Sequence, residues 1–148
     1  MRTLLAPPPV GTVVRCWFPE SESVMVPGPK FRPVLVLAVD DESSRVPRVL
    51  VAYGTSQHTE RNSLGEFVAP RSLVPELECD TKFCLKQAFW LPLSREYFSA
   101  RGRQSVPVIL PSRLHSLLLR AYHEAQSLCA FFPTPGLQFP VGEGASFS

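Results

Sequence analysis

The sequence predicts a mainly β domain with one helix packed near its C-terminal end. Three observations carry that class. Proline supplies 16 of the 148 residues, about twice the average share of ~5%, and proline neither donates to a sheet ladder nor tolerates a helix interior. Short β-branched and aromatic runs recur between proline- or glycine-bearing turns. One stretch near the end carries apolar residues at helical spacing.

Taken in order, residues 1–9 are expected to form an extended arm, because Pro7, Pro8 and Pro9 favour an unpaired backbone. VGTVVRCWF (10–18) alternates and reads as the first strand, with Val14, Cys16 and Phe18 on one face; Pro19 ends it. A polar, proline-flanked loop follows. PVLVLAV (33–39) is an unbroken apolar run, the pattern of a central strand covered on both faces. RVLVAY (48–53) is a third strand, antiparallel to the second because the turn between them is short. A hydroxyl-rich loop starts at Gly54, and a short strand runs over 66–69. FCLKQAFWL (83–91) is an aromatic strand closed by Pro92, 97–104 is a basic loop, and 106–110 is a last short strand. Ser112 stands as N-cap of the helix, whose stripe is Leu114, Leu117, Leu118, Ala121, Tyr122 and Ala125. Residues 131–148 have no period and read as a flexible tail. The domain proper is 10–130, a small, strongly bent antiparallel sheet or partial barrel with a helix across it.

Composition narrows the function classes. A formal net charge of +2 is too small to argue for nucleic acid by itself. No run approaches the ~18 apolar residues of a membrane span, and the apolar run at the N-terminus is too short for a signal peptide. The expectation is a cytoplasmic protein with no membrane partner. Cys16, Cys79, Cys84 and Cys129 do not fall into paired short spacings, and His58, His115 and His123 are scattered, so neither a metal site nor a cofactor is expected.

The order GTVVRCWF, loop, KFRPVLVL, then a strand closing on VAYGTSQ resembles the PemK/MazF family of toxin–antitoxin ribonucleases; TKFCLKQAFWLP resembles a late strand of a divergent branch. The resemblance covers about residues 10–125. It implies an SH3-like small barrel of the MazF/CcdB type, a homodimer, a cognate antitoxin as partner, and metal-independent cleavage of single-stranded RNA. Carried over residue by residue, it sets Arg32 as the catalytic arginine, Thr55 as the catalytic threonine and Ser56 as the small residue beside it. An acid or histidine before the Arg-Pro strand acts in several members. Glu22 is the first choice for that role and His58 the second, with Asp80 a looser match. Lys30, Phe31, Gln57, Arg61, Lys82 and Lys86 are candidates for RNA contact, with Tyr53 and Trp90 as further stacking surfaces.

The chemistry suits those residue types. RNA carries its own nucleophile, the 2′-hydroxyl, so the protein must orient it, accept its proton and stabilise charge on the phosphoryl oxygens. An arginine fork stays charged and binds two oxygens at once, and a threonine hydroxyl adds a neutral donor. Bland readings stand beside this one. Arg32 is equally a strand-end arginine paired with Glu22 or Glu66, Thr55 a turn hydroxyl, and Phe31 and Trp90 core residues. The alternative function is a non-catalytic binding protein on the same fold, either a gyrase-poison type acting through the terminal helix or a regulator.

Overall fold

The computed structural model describes residues 5–21, 26–42 and 45–128. Among these residues six strands form one antiparallel sheet in the order β4-β5-β3-β2-β1-β8. They are β1 (Thr12–Trp17), β2 (Phe31–Asp40), β3 (Arg48–Thr55), β4 (Glu66–Ala69), β5 (Thr81–Pro92) and β8 (Val108–Ile109). A one-turn helix α1 (Arg95–Phe98) and a hairpin of β6 (Ser99–Ala100) and β7 (Arg103–Gln104) lie between β5 and β8, and the helix α2 (His115–Leu128) ends the described chain. The sheet curls strongly into a half-barrel.

The expected central strand is central: Val34, Leu35, Val36 and Leu37 are all buried between β1 and β3. Leu35 and Leu37 join the core under α2, with Leu50, Ala52, Phe67, Phe83 and Leu85. Val34 and Val36 face the second core, with Val14, Cys16, Phe18, Val49 and Val51, closed over by Tyr97 and Phe98 of α1. On α2, Leu118, Ala121, Tyr122 and Ala125 are buried, as the stripe predicts.

Two bulges produce the curl. The β2–β3 register skips from Val36↔Val51 to Ala38↔Leu50, and the β3–β5 register jumps from Ala52↔Ala88 to Tyr53↔Cys84. An unpaired residue bends its strand and moves the following side chains to the other face. Ala38 therefore packs on the same core as Leu37, and β5 contributes Phe83 before its bulge, Leu85 within it, and Ala88 and Trp90 after it.

The structure also differs from expectation at several points. Residues 97–104 are not a plain loop but the end of α1 and a hairpin, held by the Trp17 indole N–H donating to Ser99 O at 2.9 Å. Ser112 is not the N-cap but the first residue of a 3₁₀ turn (Ser112–Leu114) that leads into α2; extended Pro111 holds the cap position and offers no side-chain bond. β2 starts at Phe31, ahead of Pro33. Pro33 pairs with Arg15 of β1 but lies one residue outside the β2–β3 ladder, which begins at Val34↔Tyr53. Its missing N–H therefore removes no ladder bond on the β3 side. Among the described residues, no helix is long and apolar enough to cross a membrane. Residues 1–4 of the arm, Glu22, Cys129 and the tail 131–148 lie outside the described residues.

Candidate functional site

Beyond the Val34↔Tyr53 pair, β2 and β3 are no longer laddered together, and a cavity of about 430 Å³ opens at their ends. Arg32, Thr55 and Ser56 line it together, with Lys30, Phe31 and Gln57. Gly54 is what allows the close approach there. A Cβ on it would stand 2.4 Å from Pro33 O and 2.9 Å from the Phe83 ring, so no other residue fits without displacement of backbone.

Arg32 is half-buried. Its guanidinium carbon lies 5.0 Å from the Tyr53 ring centroid, and Nη1 donates to Tyr53 Oη at 3.4 Å. The ring supports the cation through its face while leaving most of the five donors to a ligand. Across β1 the partner is Cys16; burial pushes that thiol well up, against the opposing pull of the Arg32 charge. Thr55 Oγ1 accepts from Gln57 N at 3.1 Å. That is the local turn bond of the bland reading, and it uses a lone pair, so the hydroxyl proton remains to donate. Phe31 leans on Trp17 with ring centroids 5.1 Å apart, which fixes it at the rim.

The remaining predicted residues lie elsewhere. His58 is exposed, in left-handed backbone (φ 57°), with Nδ1 3.3 Å from Arg61 Nη2; neither residue lines the cavity. Lys86 is exposed on the β5 bulge, its stem against Gly65. Lys82 is buried, its ammonium 3.3 Å from Glu66 Oε1 and donating to Arg61 O at 3.1 Å. Glu66 is thus committed to Lys82 and not to Arg32, which removes one of the two partners the bland reading offered. Asp80 accepts from Arg71 N at 2.8 Å and is not in the lining.

The cavity also holds residues that sequence reasoning did not assign to it. Arg15 adds a third cation to Lys30 and Arg32. Glu78 is the single carboxylate among the described lining residues. It follows the 3₁₀ turn Pro75–Leu77 in left-handed backbone (φ 71°), its N–H donating to Pro75 O at 3.2 Å. A side chain other than glycine is uncommon in that conformation. The only signal in the sequence was the PELECD stretch itself, in which the turn cannot be told from an ordinary acidic loop.

No family model and no curated protein sequence matches the chain.

Proposed function

We propose that the protein is a metal-independent endoribonuclease of PemK/MazF type, on a small barrel of the MazF/CcdB kind, cutting single-stranded RNA. The observation that carries the reading is the shared cavity: Arg32, Thr55 and Ser56 converge on one open space flanked by Lys30 and Arg15. In this reading the scissile phosphate sits against the Arg32 fork, with the Thr55 and Ser56 hydroxyls donating to its non-bridging oxygens. The 2′-oxygen attacks phosphorus and gives up its proton to the Glu78 carboxylate. The P–O5′ bond breaks, leaving a 2′,3′-cyclic phosphate, and the departing 5′-oxygen takes a proton from water. The nucleophile belongs to the substrate and the arginine supplies the positive charge, so no step asks for a metal. A homodimer and a cognate antitoxin whose segment occupies the same cavity belong to this reading, as does a cytoplasmic setting.

The test is incubation of the purified protein with a long single-stranded RNA in EDTA. Cleavage is expected, and Arg32→Ala is expected to slow it by roughly 10²–10³-fold, the usual effect of removing one preorganised donor. No cleavage by the wild type, or equal cleavage by Arg32→Ala, overturns the reading.

A further inference from the structure

A second cavity of about 420 Å³ adjoins the first, and Arg32 and Tyr53 line both. We propose that this second cavity is a nucleobase subsite that selects guanine. The inference rests on Arg32 being the phosphate ligand of the reading above. A phosphate held from one side of Arg32 carries its nucleoside to the mouth of the space on the other side.

The lining suits a base. Phe18 and Phe89 stack with centroids 5.1 Å apart, and Phe18 meets Tyr53 at 5.4 Å. These rings, with Pro19 and Pro29, give flat apolar surfaces for a π-face. Besides Arg32 and Tyr53, the polar residues in the described lining are Glu20 and Gln87, both exposed. Gln87 is there because of the β5 bulge, which takes it out of the ladder with β3. Among the described residues no cation pairs with Glu20.

The polar pair sets the choice of base. A carboxylate only accepts, and its two oxygens match two parallel donors. Guanine alone shows such a pair, N1–H beside N2–H₂, on its Watson–Crick edge. Adenine and cytosine show one exocyclic amine next to a ring acceptor, and uracil shows one N–H between two carbonyls. Each of these sets a lone pair against the Glu20 carboxylate, a repulsion that discriminates as strongly as the attraction does. The Gln87 amide, on the same lining, is a donor suited to guanine O6.

Titration of the full chain with the four nucleoside 3′-monophosphates, and with inorganic phosphate as reference, tests the proposal. Guanosine 3′-monophosphate is expected to bind about tenfold tighter than the other three, and Glu20→Gln to erase that preference without weakening phosphate binding. Equal affinities for all four, or an unchanged preference in Glu20→Gln, overturn the subsite, even where RNA is cleaved. A guanosine preference without RNA cleavage supports the subsite and overturns the nuclease reading. No binding of any nucleotide or of phosphate overturns both.

Discussion

Arg32 and Lys82 look alike in the sequence, each a basic residue at the start of a long β run, yet their surroundings are opposite. Arg32 stands where two strands separate, propped by the Tyr53 ring and facing a cavity shared with hydroxyls and two more cations. Lys82 is 8% exposed and closed into a cluster with Glu66, Cys84 and the Arg61 carbonyl. A cation whose donors already have anionic partners is structure, whereas one held by a ring and facing an open space is available to a ligand. The difference comes from pairing: Lys82 sits opposite Thr55 and Val68 in a full three-strand ladder, while Arg32 is laddered to β1 alone.

The comparison breaks most visibly if Lys82 is removed. Lys82→Ala leaves the part-buried Glu66 without its cation, and a loss of about 1–3 kcal/mol is expected. A urea denaturation curve should show that loss, with activity per folded molecule retained. Arg32→Ala should do the reverse: a cleavage rate lower by about 10²–10³-fold with an unchanged denaturation midpoint. Gly54→Ala touches both regions, because its methyl would meet Pro33 O and the Phe83 ring. A destabilisation of about 1–3 kcal/mol is expected, with a fall in activity as Thr55 is displaced from Arg32.

The Lys82 cluster also sharpens the comparison through pH. Burial alone would raise the Glu66 carboxyl. The Ser63 N–H at 2.9 Å, the Lys82 ammonium and the Cys84 thiol outweigh it and hold the carboxyl below its ordinary value. A carboxyl lowered on folding stabilises the fold above its unfolded pKa and loses that contribution as pH falls through the folded value. Stability should therefore decline on the acid side, and Glu66→Gln should flatten that limb of a pH–stability curve. Thiol chemistry gives the smallest effect. Burial, and then the Glu66 charge, push Cys84 up to about 11, whereas Cys79 is exposed in the cavity lining. Peptide mapping after brief alkylation at neutral pH should find Cys79 modified and Cys84 spared, and bound RNA should protect Cys79.

Much of this fold was legible because its signals are local. Alternation identified β1, the unbroken PVLVLAV run identified the doubly covered β2, and a 3.6-residue stripe identified α2. That Arg32 and Thr55 lie close together follows from β2 and β3 being antiparallel neighbours with a short turn. What stayed hidden depends on register. The bulges at Leu37 and over residues 85–87 change which face a side chain occupies, and nothing in LVLA or CLKQA announces them. Lys82 reads as a surface lysine until β4 and Glu66 are laid beside it. Glu78 reads as one acid among several until a 3₁₀ turn ending in left-handed backbone turns it into the cavity.

The central claim is that the Arg32 guanidinium and the Thr55 hydroxyl act on one phosphate, and a double-mutant cycle on the RNA cleavage rate tests it most directly. Thr55→Val keeps the β-branched shape and removes the hydroxyl. The account predicts that Arg32→Ala and Thr55→Val each slow cleavage and that the double variant loses clearly less than the product of the two, because groups acting as a unit are non-additive. Independent, multiplying losses, or a Thr55→Val variant as fast as the wild type, would contradict it.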